Sequence, residues 1–295
     1  MIATLRRFET LGLIIAAVLV ALDGYLWYGI MADRPVATAH DYFLDVGQGD
    51  AEIVAFDGGV KIMTDAGPTN EVLTSIAKAL GADRYIDIGI ISHPQLDHFN
   101  GYNFLLDAGY RFGVFVYNGR DDDPPNAQWS ALLAKIKEKH IPLVTLGADD
   151  RIEYGANSID MLSPDKEFAE SAELNDTGFV EYVTTPEFTT LLTADTGMNV
   201  ENFLMKKGLN LRVDVLKVGH HGSQYASGSG FLRAVDPSIA VIEVGAHNTY
   251  GHPTKETLAR LASSTTAKVF RTDKDGTIVV GGTGAKLSVR LLYND

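Results

Sequence analysis

Residues 92–101 read Ser92-His93-Pro94-Gln95-Leu96-Asp97-His98-Phe99-Asn100-Gly101, directly after the apolar run Ile86 to Ile91. Two imidazoles and a carboxylate, on His93, Asp97 and His98, fall within six positions of one loop at the end of an expected buried strand. A rigid strand end followed by a tight loop aims several side chains at one point, as a metal ion requires. Two histidines on a loop are a weak signal alone, and the rest of the chain supplies their partners. Four of the eight histidines, His93, His98, His220 and His221, sit at expected strand ends. Asp195 follows the apolar run Phe188 to Leu192. A lone strand-end aspartate more often caps a turn, and a lone His-His pair is as often a surface turn. Together and in this order they favour a metal site.

Composition narrows the chemistry. The 295 residues suffice for one large domain or two smaller ones, and 45% hydrophobic content supports a sizeable core. There is no cysteine, which excludes disulfides and thiolate ligands, so a metal must rest on His, Asp, Glu or amide oxygens. The net charge of −13 weighs against broad attraction to nucleic acid, which relies on Lys and Arg neutralising phosphates. A local basic patch or a divalent metal is then what would handle a phosphodiester. The acidic loop Asp121-Asp122-Asp123 reads as a solvated turn.

The N-terminus has its own grammar. From Phe8 to Tyr28 only Glu9 and Asp23 are charged, around the apolar stretch Leu11 to Leu22. Twenty-one helical residues span roughly 31 Å, close to a bilayer's hydrocarbon thickness. Arg6 and Arg7 precede the stretch, and Tyr25, Trp27 and Tyr28 follow it as an aromatic belt. The expectation is a cytoplasmic segment 1–9, an anchor 10–31, a linker 32–40 and a domain 41–295 on the outer side of the cell membrane. A secreted form is the alternative, because Ala37-Thr38-Ala39 has the small-x-small form of a signal cleavage site. A buried soluble helix is the third reading, which Asp23 favours.

Beyond the linker the text alternates between strands and helices. Tyr42–Val46, Ala51–Phe56, Val60–Thr64 and Tyr85–Ile91 read as strands, and Asn70–Leu80 and Asn126–His140 as helices. Strands follow at Ile152–Tyr154, Ser158–Leu162, Phe179–Thr184, Phe188–Thr193, Leu211–Val218 and Ile239–Val244. Helices are expected at Asn199–Lys207, Ser229–Val235 and Thr254–Ala262, with three short strands closing the chain. Two β-rich halves with helices added outside suggest helices flanking a two-sheet sandwich. A doubly wound nucleotide fold fits worse, because Gly47-Gln48-Gly49-Asp50 leads into another strand rather than a helix.

The His93–His98 loop resembles the His-x-His-x-Asp-His signature of the metallo-β-lactamase superfamily, with Gln95 standing where that pattern has its second His or an Asp. Further matches run in family order: Leu44–Ala51, Thr64–Gly67, Leu192–Asp195, Leu216–Ser223, Asn248–Pro253 and Arg271–Gly276. Residues 41–295 thus resemble the metallo-β-lactamase-type domain of ComEC-type competence proteins. The resemblance implies an α/β fold, the αββα four-layer sandwich, and a metal-dependent hydrolase. In the superfamily the aspartate matching Asp195 bridges two metals that activate water.

The resemblance also implies a ligand set. Asp97, His98, Asp195 and His221 make a complete site. His93, Gln95 and Asn175 make a thinner one, because a neutral amide is a poorer ligand than imidazole or carboxylate. One or two ions, Zn²⁺ or Mn²⁺, are expected per chain. In an extended chain His220 and His221 point to opposite sides, so His221 is assigned to the metal and His220 to substrate phosphate, with the reverse left open. Asp65 is expected to orient a ligand, or to be a plain turn residue before Gly67. Asp97, His220 and His252 are the candidate catalytic residues, and His252 is read as a proton donor, a phosphate contact or a structural loop residue. The implied substrate is a phosphodiester, with DNA among the candidates. The alternatives are a cell-envelope hydrolase of small phosphoesters or lactones, and a degenerate binding domain.

Overall fold

A strand made only of apolar residues has two faces to bury. The strand Ile239–Ile242 shows the consequence. Ile239 and Val241 enter one apolar layer, while Ala240 and Ile242 enter another. This alternation recurs along the chain and stacks the molecule into layers.

The computed structural model describes residues 15–25, 38–121, 126–283 and 286–293. The first sheet takes β1 (His40–Phe43), β2 (Glu52–Ala55), β3 (Lys61–Thr64), β4 (Tyr85–Ile91), β5 (Arg111–Tyr117) and β6 (Leu143–Thr145). The second takes β7 (Arg151–Tyr154), β8 (Asn157–Ser163), β9 (Val180–Thr184), β10 (Thr189–Leu192), β11 (Val215–Lys217), β12 (Ile239–Ile242) and β13 (Lys268–Arg271). The chain then returns to the first sheet with β14 (Thr277–Thr283) and β15 (Lys286–Leu292). The strand orders are 15-14-1-2-3-4-5-6 and 13-12-11-10-9-8-7. Both sheets are mixed: β3 to β6 and β10 to β13 pair in parallel, and the remaining pairs are antiparallel.

Three apolar layers hold these sheets. Phe43, Val54, Ile62, Ile90, Val116, Leu192, Val215 and Val241 fill the layer between them. Ile53, Met63 and Phe115 point the other way, onto Val72 and Ile76 of the helix Glu71–Leu80 and Trp129 and Leu132 of the helix Ala127–Glu138. On the far side Leu191, Leu216 and Ala240 meet Val200 and Leu204 of Met198–Lys206, Phe231 and Leu232 of Ser229–Val235, and Leu261 of Lys255–Ser264. Helix, sheet, sheet and helix are therefore stacked in that order, the αββα arrangement.

Two expected elements change. The strand read over 211–218 narrows to β11, because the Asp214 side chain accepts hydrogen bonds from Thr189 N and Oγ1 at 2.9 and 3.0 Å and so occupies the ladder's edge. The 92–101 stretch is less of a loop than expected. It turns helical at Leu96–Phe99 and continues as the helix Gly101–Asp107. Gly101 permits this, since a Cβ there would lie 1.8 Å from Ala66 O.

The described residues from Thr38 onward make one compact unit. Of the anchor expected over 10–31, only part is described. Residues 15–25 are helical and exposed along their length. Arg6, Arg7, Trp27 and Tyr28 lie outside the described residues, as do the segments 1–9 and 32–37 and the loop residues 122–125. Among the described residues no helix is long and apolar enough to cross a membrane.

Candidate metal centre

The carboxyl ends of the parallel strands carry the site. The turn Thr64-Asp65-Ala66-Gly67 ends β3, the His93–His98 segment follows β4, Asp195 follows β10 and His220-His221 follow β11. Backbone contacts lock these ends together. Ala66 N donates to His98 O at 2.7 Å, Asp65 N to Ile90 O at 2.8 Å and His220 N to Ala194 O at 3.0 Å. Asp50 N donates to Asp97 O at 3.2 Å, an approach that Gly49 allows because a Cβ there would sit 2.3 Å from that oxygen. Asp65, Ala194, His220 and His221 all have left-handed backbone, with φ of 56°, 42°, 50° and 52°. Such residues cost about 1–3 kcal/mol each and persist where the surroundings over-determine them.

The second-half histidines correct the extended-chain argument. His220 and His221 form a tight left-handed turn instead, and both reach the same carboxylate. Asp195 Oδ2 lies 3.5 Å from the Nε2 atoms of His98, His220 and His221. His221 Nε2 lies 3.4 Å from Asp97 Oδ2. Two donors about 2.1 Å from a common tetrahedral centre lie about 3.4 Å apart, so this spacing suits ligands of one ion better than hydrogen-bond partners. Asp97, His98, Asp195 and His221 each offer one ligand atom, all within 4.8 Å of one another.

Hydrogen bonding behind the cluster frees the ligand atoms. His221 Nδ1 donates to Glu243 O at 3.0 Å, and a carbonyl only accepts. His98 Nδ1 donates to Asp65 Oδ2 at 2.7 Å. Ser92 Oγ donates its proton to the same oxygen at 2.6 Å, so it accepts from His93 Nδ1 at 2.9 Å. The Nε2 atoms of His93, His98 and His221 and Oδ1 of Asp195 are left buried without a hydrogen-bond partner. Buried polar atoms are rarely orphaned unless a water or an ion meets them. The residues present fit a divalent cation.

Electrostatics agree. Burial alone would lower His98 and His221, but Asp195, with Asp65 beside His98 and Asp50 beside His221, raises both well above the ordinary imidazole value. Burial alone would raise Asp195, but His221 and His98 hold it well below the usual carboxylate range. The cluster therefore draws positive charge, as protons or as metal in their place. His93 differs: burial, then His98, pushes it down to about 4, which keeps Nε2 unprotonated.

The remaining expected residues line or support the opening. Asp65 sits behind His98, clamped by the Ser92 amide at 2.9 Å and hydroxyl. Gln95 Nε2 donates to Asn175 Oδ1, so these two amides hold each other, and Asn175 Nδ2 faces His220 at 3.4 Å. His93 stands outside the four-residue group. His252 packs its ring against His220 at 5.7 Å, and burial followed by His220 and His221 lowers its pKa. A cleft of about 390 Å³ opens over the cluster, lined by Gln95, Asp97, Asn175, Asp195, His220 and His252 among others.

One layer was missed. Lys217 is fully buried, and its Nζ donates to Asp50 and, at 2.8 Å, to Ala194 O. Asp50 Oδ1 lies 3.1 Å from His221 Nδ1. Glu52 and Glu243 complete a buried acidic group around Asp50. A signal existed in the sequence, since Asp50, Lys217 and Glu243 interrupt otherwise apolar or glycine-rich stretches at strand ends.

A two-sheet sandwich flanked by helices defines the metallo-β-lactamase fold, and the buried His/Asp cluster at its strand ends has the donor set to hold a metal ion. The chain is a distant homologue of competence proteins. It is 27% identical over 254 residues to ComE operon protein 3 of Bacillus subtilis (strain 168), covering 80% of this chain and 32% of that protein. It is 28% identical over 253 residues to competence protein ComA of Neisseria gonorrhoeae, covering 84% and 33%. The chain thus spans about a third of the length of these relatives. Among solved structures it is similar to YhfI of Bacillus subtilis, a metallo-β-lactamase fold protein, with TM-score 0.55 and 12% identity over 83% of this chain and 100% of that one. It is also similar to Tm1679, a metal-dependent hydrolase of the β-lactamase superfamily, with TM-score 0.52 and 14% identity over 79% and 95%. At such identities the likeness carries the fold alone. No family model matches the chain.

Proposed function

We propose that this chain is a metal-dependent phosphodiesterase acting on DNA or another phosphodiester. The observation that carries the reading is the Asp195 carboxylate, equidistant at 3.5 Å from three imidazole Nε2 atoms beneath an open cleft. Asp97, His98, Asp195 and His221 would hold the ion, with His93 as a further imidazole beside His98, their rings 4.2 Å apart. A bound divalent cation supplies Lewis acidity toward the phosphoryl group and the attacking water. The ligands are nitrogen and oxygen without sulfur, which suits Zn²⁺ and Mn²⁺ alike. Asp65 and the Glu243 carbonyl fix the His98 and His221 rings with Nε2 forward. The His220 side chain, 28% exposed, reaches the cleft, where it would meet a phosphate oxygen of the substrate. Homology to a competence protein supports nucleic acid as the diester.

The test is a hydrolysis screen of the full chain with Mn²⁺ and Zn²⁺. It compares single- and double-stranded DNA, bis-(p-nitrophenyl) phosphate, a phosphomonoester and a lactone. Metal-dependent turnover of the diesters supports the reading. Turnover of the monoester or lactone alone supports the second reading, a hydrolase of small esters, which the strongly acidic chain favours. A protein without stoichiometric metal is a binding domain.

We also propose that the catalytic unit is tethered outside the cytoplasmic membrane. The apolar helix over 15–25 supports this, with Ile15, Val18, Leu19, Val20 and Leu22 all more than half exposed. Protease added to intact cells should then reach residues 38–295, and the protein should stay with membranes after a carbonate wash. A protected domain refutes the outward orientation, and release by the wash refutes the anchor.

A further inference from the structure

Three rings lead out of the metal cluster. His220, 3.5 Å from Asp195 Oδ2, meets His252 edge-on, with centroids 5.7 Å apart. His252 in turn lies parallel to Tyr250, with centroids 5.9 Å apart and planes 16° from coplanar. Tyr250 lines the cleft and is 69% exposed, so His252 flanks its ring at an offset and most of the ring faces solvent. A single exposed tyrosine is unremarkable. This one is held in place at the rim of the cleft.

The loop that carries it is tied across its width by one side chain. Asn248 Nδ2 donates to Gly245 O at 2.8 Å and to His252 O at 2.9 Å, while Asn248 Oδ1 accepts from His252 N at 3.0 Å. The loop backbone on either side of Tyr250 is therefore held before anything binds, which reduces the entropy lost on binding. Charge supplies the second half of the argument. Among the described residues that line this cleft there is no lysine and no arginine. A nucleic acid bound here therefore finds no lysine or arginine in the cleft to neutralise its phosphates, and has only the metal cluster for that. Stacking on an aromatic face supplies affinity without cations and tolerates any base.

We propose that Tyr250, backed by His252, is the stacking platform for a nucleobase next to the phosphodiester at the metal cluster, and so directs the site to nucleotide-containing diesters. This rests on the phosphodiesterase reading above and deepens it. Tyr250 determines specificity by touching the substrate's base, and it takes no part in bond cleavage.

The test measures binding and cleavage separately, with the full chain and Mn²⁺. Fluorescence anisotropy gives Kd for a labelled octathymidylate and for an abasic octamer with the same backbone, and cleavage of both is followed by gel. Tyr250→Ala should weaken the octathymidylate about tenfold and leave the abasic octamer within twofold. Tyr250→Phe, which keeps the ring, should bind like the unmodified protein. Equal losses for both octamers, no loss for either, or failure of the unmodified protein to bind octathymidylate would overturn the platform. Selective binding without cleavage of either octamer would instead count against the phosphodiesterase reading and leave the platform standing.

Discussion

Replacing Lys217 by Met should destabilise the protein by about 3–5 kcal/mol, the usual loss when one partner of a buried ion pair is removed. The ammonium is fully buried at the end of β11 and donates to the Asp50 carboxylate and the Ala194 carbonyl. Around it, burial raises Glu52 well above its ordinary value and Glu243 to about 8, so this corner already limits its negative charge by protonation. Asp50 stays ionised against its own burial because Lys217, then His221, stabilises the anion. Without Lys217 the anion is left with His221 and the more distant His98, and the Ala194 carbonyl keeps only the His220 amide. The variant Asp50→Asn/Lys217→Met removes both charges and should recover more than half of the loss. Urea unfolding with EDTA present reads these differences without stabilisation from bound metal. A single-variant loss below about 1 kcal/mol, or a double variant no better than the single, would refute the reasoning.

Asp195→Ala should abolish stoichiometric metal binding, read by elemental analysis of dialysed protein, and full metal content in that variant would remove Asp195 from the site. Gln95→His should raise occupancy towards two ions per chain. Unchanged occupancy would mean that the 95 side chain faces only Asn175, with which Gln95 hydrogen-bonds. Burial raises Glu181 from 4.5 to about 8 and Asp41 from 3.8 to about 7. A raised carboxyl favours folding below its unfolded pKa, and that contribution is lost as pH climbs through the folded value. Glu181→Gln should therefore flatten the fall in unfolding free energy between pH 5 and 8, by up to roughly 1.4 kcal/mol per pH unit. Parallel pH curves for the two proteins would disprove this.

Much of the scaffold was legible because its strands and helices differ in period. Tyr85–Ile91 and Ser229–Val235 occur where their apolar patterns place them. The helices Leu96–Phe99 and Gly101–Asp107 carried no separable signal, since the histidine-bearing segment runs straight into them. β6, exposed along its length, had no burial pattern to read.

The site divides in the same way. Strand-end histidines and aspartates are local facts, and local sequence marks them: His93, Asp97, His98, Asp195 and His221 each stand beside an apolar run. Which of their atoms face one another is not local. Asp50 and Lys217 are 167 residues apart, and no periodicity links them. The left-handed turn at His220–His221 is disfavoured by its own residues and is held by Ala194 O accepting from His220 N across the strand ends. Sequence determined the layers and marked the candidate donors, because hydrophobic period and residue chemistry act over a few positions. Tertiary structure decided that three imidazoles share Asp195 and that a buried lysine holds Asp50 behind them, because those energies exist only once distant strand ends are brought together out of water.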